Sequence, residues 1–166
     1  MRKKEEKPRK AYKFRIYPTK EQKILFAKTF GCARFIYNQM LNDINEKKEL
    51  RTPAQYKLEY EWLKEVDSLA LCNAQINLFQ AFQHHRDKPK HYGRPRYKSR
   101  RNRQSYSTNN QNGSVRIEEG KIKLPKVGYV KIVQHRELEE KSTIKTVTIS
   151  KVCQFRRRKT KISAVL

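Results

Sequence analysis

Lysine and arginine are the residues of this sequence with the most chemistry to offer, and that chemistry is recognition of phosphate. Forty of them stand against 16 aspartates and glutamates in 166 residues, a formal net charge of +24 and a pI near 10.2. A folded domain with that imbalance repels itself unless a polyanion neutralises it. Displacing condensed counterions from DNA or RNA supplies the driving force for such a contact. An ordinary solvated surface mixes both signs. A membrane partner needs a basic amphipathic helix or an apolar span of about 20 residues, and the sequence shows neither.

Other chemistries have little to work with. His84, His85 and His91 have no neighbouring cysteine, so stacking or phosphate contact suits them better than metal ligation. Cys32, Cys72 and Cys153 are too far apart for a zinc pair or a disulfide framework. They read as apolar fillers or free thiols of a reducing compartment. No cofactor and no metal are expected. The opening MRKKEEKPRK lacks the apolar stretch of a signal peptide, which fits a cytoplasmic or nucleoid-associated protein.

The elements that position the cations follow from local pattern. Residues 1–10 read as a disordered basic tail, and 11–18 as a first strand in which Tyr and Phe alternate with Ala, Lys13 and Arg15. Its basic face is free to touch phosphate or simply to be wet. A helical part is expected over 19–85. Thr19 and Gln22 form a capping box, and Gly31 is placed to end that first helix. A second follows through Ala33, Ile36, Tyr37, Met40, Leu41 and Ile44. The pair resembles a helix-turn-helix, although two packed helices of a bundle are favoured, because the second opens apolar rather than polar. Thr52-Pro53-Ala54-Gln55 starts a third helix carrying Tyr56, Tyr60 and Leu63. Asp67 or Ser68 caps a fourth, with Leu71, Leu78 and Phe82 on one stripe and Leu69, Cys72, Ile76 and Phe79 widening its buried face.

Residues 86–103 hold nine basic side chains and one acid, broken by Pro89, Gly93 and Pro95. They read as a linker or an arm tracking a nucleic-acid backbone, with Tyr92 and Tyr97 available to stack on bases. From 104 to 151 the period becomes two. Strands are expected at 104–109, 114–117, 121–124, 129–133 and 143–150, with a hairpin loop at Glu118-Glu119-Gly120 and a turn at Pro125–Gly128. The fold class is therefore α+β: a small OB-like antiparallel β-barrel, joined by the first strand, with a helical bundle inserted.

In that order, Tyr12–Pro18 with Gln22, Gly31–Asn38, Trp62–Ser68, Ala81-Phe82, Gly93–Lys98, Ser105–Thr108, Lys123–Val130 and Val147–Ser150 resemble the TnpB proteins across about residues 11–151. These are transposon-encoded RNA-guided DNA endonucleases related to type V CRISPR effectors. The resemblance implies a wedge β-barrel bearing a helical recognition domain, with a guide RNA scaffold and a transposon-adjacent motif in double-stranded DNA as partners. In such systems protein reads the motif and base pairing reads the target. It places motif contacts near Pro53 and Lys57, at Ser68, Leu69, Cys72 and Asn73, and near Asn109, Asn110 and Gln111. Of these, Asn73 and the Ser-Tyr-x-Thr block match the expected residue types. The full set of candidate nucleic-acid contacts is Lys13, Arg15, Arg34, Asn38, Lys57, Ser68, Asn73, Arg94, Arg96, Tyr97, Lys98, Arg103, Tyr106, Thr108, Asn109 and Asn110.

A full-length TnpB continues into a RuvC-like nuclease and a zinc ribbon. This sequence stops at Leu166, after an aberrant basic tail over 152–166 without the expected hairpin turn. The expectation is a non-catalytic remnant left by a frameshift or premature stop, or else a shortened RNA-bound repressor or partner. A stand-alone helix-turn-helix regulator and an RNA-binding protein of ribosomal type are the alternatives.

Overall fold

The strand expected at the start forms as Lys13–Tyr17 (β1), with Phe14 and Ile16 buried and Lys13, Arg15 and Tyr17 exposed. A computed structural model describes residues 10–138, 142–152 and 161–165, with side chains up to Lys151. Thr19 and Gln22 then close the expected capping box, side chain to backbone in both directions.

The helix it starts does not stop at Gly31. Lys20–Asn45 is one helix (α1) of 26 residues. A glycine inside a helix costs about 1 kcal/mol relative to alanine, and its neighbours outweigh that. Phe26, Phe30, Ala33, Tyr37, Met40 and Leu41 continue one buried stripe across the glycine. No two-helix unit exists in this stretch.

Thr52 and Gln55 make the second capping box, and Pro53 opens Pro53–Glu59 (α2). This helix is shorter than expected: Glu61–Glu65 is a 3-10 turn, and Leu63 belongs to it. The buried Asp43 of α1 accepts the Tyr56 hydroxyl and the Arg51 guanidinium, the latter at 3.3 Å, fastening α2 to α1. Asp67 caps Ser68–Asp87 (α3), accepting from the Leu69 amide at 3.0 Å. Ala70, Leu71, Ala74 and Leu78 face the core. The expected widening of that face is wrong: Cys72, Ile76 and Phe79 are exposed and Leu69 is half-covered, because only one side of α3 meets α1 and the sheet.

Six further strands complete the sheet: Ser105–Asn109 (β2), Arg116–Glu118 (β3), Lys121–Leu124 (β4), Gly128–Val133 (β5), Thr146–Val152 (β6) and Lys161–Val165 (β7). All neighbours are antiparallel, in the order β2-β6-β7-β1-β5-β4-β3. The β3–β4 hairpin turns on Glu119 and Gly120, both at positive φ (46° and 71°), as the sequence signal requires. Part of the supposed tail, 161–165, is a central strand between β1 and β6.

The sheet is open, with β2 and β3 at its edges, rather than the closed OB-like barrel expected. A helix takes the place of the closing strand. Alternate carbonyls of β2 point away from β6, and Asn73 of α3 donates to one of them, Ser107 O, at 3.1 Å. Thr108 donates to Asp67 beneath, and Tyr106 packs on Phe26 and Phe30 at ring separations of 6.4 and 5.7 Å. Covering an edge with a helix satisfies it as pairing would.

Candidate nucleic-acid interface

Because α1 runs on through Gly31, Arg34, Asn38, Asn42 and Asn45 fall at helical spacing along one face. The basic segment after α3 lies back along that face in the opposite direction. Asn38 accepts from the Lys98 amide at 2.8 Å and donates to the Lys98 carbonyl at 2.9 Å. The Tyr97 hydroxyl donates to Asn42 Oδ1 (3.2 Å) and accepts from Asn45 Nδ2 (3.3 Å), and Arg94 donates to Asn45 Oδ1 (3.0 Å). The Lys98 ammonium sits 3.8 Å from the centre of the Tyr37 ring, and burial of that end holds its pKa below the usual lysine value. At the other end of the arm the Tyr92 carbonyl meets His85 Nδ1 at 2.8 Å, and its ring meets His84 at 5.1 Å.

The segment is thus a docked arm and not a free linker. Docking uses backbone, amide and hydroxyl groups together with Arg94 and Lys98, and leaves the other cations of the arm on display. Arg96, Arg100, Arg101 and Arg103 are exposed, and none forms an ion pair among the described residues. The Tyr97 ring is 54% exposed even with its hydroxyl held.

A second basic surface covers the outward face of the sheet. Lys13 and Arg15 of β1 share this face with Lys131 of β5, which pairs with Tyr17, and Lys131 stands directly across from Lys121 of β4. Like charges directly opposite on neighbouring strands are destabilising, and a polyanion lying over them removes that penalty. Tyr17 and Tyr129 are exposed on the same face, at 48% and 43%.

The remaining candidates separate into accessible and structural groups. Lys57 and Ser68 bond at 2.5 Å between α2 and α3. The Thr108–Asp67 bond sets the start of α3 against the end of β2, so Ser68 and Asn109 follow residues already in contact. Asn73 bonds Leu69 O and Ser107 O. Asn109 accepts from Thr146, while Asn110 donates to Ile144 O and accepts from Val115 N, organising its loop. Two candidates are corrected to structural roles: Tyr106 and Thr108 are buried and hold α1, α3 and β2 together. Asn42, Asn45, Lys121 and Lys131 were missed; the spacing of three asparagines on one helical face was the available signal for the first two.

Among the described residues, no group of three or more His, Cys, Asp or Glu side chains is gathered to hold a metal ion. Nor is any of their helices long and apolar enough to cross a membrane.

Residues 9–51 match a family model described as a helix-turn-helix domain, that of OrfB of IS605. In this chain the match covers β1 and the single helix α1. A Streptomyces pristinaespiralis protein named as an RNA-guided DNA endonuclease is 32% identical over 164 residues, covering 86% of this chain and 38% of the relative. The virulence protein VsdF of Salmonella dublin is 34% identical over 93 residues, 44% of this chain and 78% of VsdF. The chain belongs to the TnpB family. TnpB proteins are transposon-associated and DNA-binding, as the charge of this chain suggested. This TnpB chain spans little more than a third of the endonuclease relative's length.

Proposed function

We propose that this chain binds the guide RNA scaffold and the transposon-adjacent duplex of a TnpB-type system, and that these residues contribute binding and not cleavage. The observation that carries the reading is the docked arm. Arg94, Tyr97 and Lys98 fix the basic chain to α1, while the guanidinium groups of Arg96, Arg100, Arg101 and Arg103 stay exposed and available for phosphate. The relative's name supplies RNA and DNA as partners; the two basic surfaces supply room for both. On this reading the arm with Arg34, Arg94, Arg96, Tyr97, Lys98 and Arg103 tracks one backbone. The sheet face with Lys13 and Arg15 meets the other. Lys57, Ser68, Asn73, Asn109 and Asn110 border the place where a duplex motif would be read. Such a protein works at the nucleoid.

Recovery of RNA bound to the expressed chain, followed by sequencing, tests this. Enrichment of the transposon's 3′-end transcript is the expected result. Binding to duplex DNA alone would favour a regulator of helix-turn-helix type, the class of the family model that residues 9–51 match. Affinity for either polymer falls steeply with salt.

A further inference from the structure

Beneath Lys98, the arm, α1, α3 and β2 meet around a cleft of about 50 Å³. Phe30 and Tyr106 form its apolar floor. Arg34, Lys98 and Arg103 line it, and no carboxylate does. None of the three cations forms an ion pair among the described residues. Asn102, also on the wall, commits its side-chain oxygen to the Ser99 amide at 2.6 Å, which leaves its amino group as a donor.

Three cationic residues line this small space, one of them anchored through its backbone to Asn38, and they call for an anion. Size selects among anions. A water-sized occupant needs about 10–15 Å³ by the same measure, so the cleft has room for about four such atoms. That is the oxygen complement of one phosphate, and far too little for a nucleobase.

We propose that this cleft seats a single phosphodiester group of the bound nucleic acid, with Arg34, Lys98 and Arg103 as its ligands. The inference rests on the nucleic-acid reading above and sharpens it. Charge spread over a surface lets a polymer slide, whereas one pinned phosphate sets its register. Lys98 suits the role because its ammonium is already held in place against the Tyr37 ring and its backbone is held by Asn38.

The test uses the full chain, a labelled oligonucleotide that it binds, and the double variant Arg34→Gln/Arg103→Gln, with Arg34→Lys/Arg103→Lys to retain charge. Removing two phosphate-contacting cations lowers the slope of log affinity against log salt by about 2, and the lysine pair restores most of it. Replacing phosphates one at a time by neutral methylphosphonate should reveal one position that weakens binding to the native chain about tenfold. That position should be silent in the glutamine pair. An unchanged salt slope in the glutamine pair, or a scan in which every position counts equally, overturns the seat while leaving nucleic-acid binding intact. Failure of the native chain to bind any oligonucleotide overturns both readings. A titration with inorganic phosphate separates the sources: saturable binding lost in the glutamine pair, with oligonucleotide affinity unchanged, assigns the cleft to free phosphate and overturns the phosphodiester.

Discussion

The side-chain amide of Asn38 closes a two-bond ring with the backbone of Lys98, accepting from its N–H and donating to its carbonyl. Sixty residues separate the partners, and the ring is what turns a Pro- and Gly-broken basic stretch into a fixed surface. A side-chain amide matches a peptide group donor for acceptor, and neither aspartate nor leucine at this position does so.

Asn38→Ala removes both bonds, each worth about 0.5–1.5 kcal/mol. Tryptic cleavage at Arg100 and Arg101 accelerates severalfold, while the urea midpoint of the core moves little. An arm that stays equally protected would show that Asn42 and Asn45 hold it unaided.

Gly31→Ala stabilises the chain by about 0.4–1 kcal/mol, since the added methyl meets nothing within 4 Å and the backbone there is helical. Equilibrium urea unfolding measures it. A helix that broke at this glycine would lose stability instead.

Thr108→Val keeps the shape of a buried side chain and deletes its donor to Asp67. The carboxylate of the α3 cap then loses one partner, at about 1–3 kcal/mol. Thr108→Ser recovers much of it, and a neutral valine variant would mean that Asp67 finds another donor.

Alkaline pH weakens the fold. Burial first, and then Glu65, push the Cys32 thiol up to about 11, against about 8.5 in an unfolded chain. Below the unfolded value both states hold the proton and the full stability is present. As pH rises toward 11 only the unfolded chain releases it, so stability falls, by on the order of 3 kcal/mol at about 1.4 kcal/mol per unit. Cys32→Ala flattens the pH dependence between pH 8.5 and 10.5. At pH 8 the exposed Cys72 reacts with a thiol reagent while the buried Cys32 stays protected until the chain unfolds.

Local rules were readable in the sequence wherever a few neighbouring residues decide the outcome. Both capping boxes, the Asp67 cap, the β1 alternation and the Glu119-Gly120 turn needed no tertiary information. Gly31 misled because a glycine ends a helix only where no buried stripe carries it onward, and Phe30, Cys32 and Ala33 do so here. The exposed residues of α3 misled for the converse reason: a helix apolar on several sides does not declare which side its neighbours will cover. The site was half legible. Charge located the arm, but its docking depends on three asparagines about fifty residues upstream, whose uncharged amides leave no compositional trace. The covered edge of the open sheet, too, rests on distant contacts of β2 with the helices, through Asn73, Asp67, Phe26 and Phe30.

The place of β7 between β1 and β6 sets a timetable for synthesis. β1 leaves the ribosome early, but β5 follows only about 118 residues later and its other neighbour about 148 residues later. At about 5–20 residues per second, one edge of β1 waits on the order of ten to thirty seconds for its partner. Throughout that interval a polyanion, or a chaperone, has an unfinished basic strand to cover.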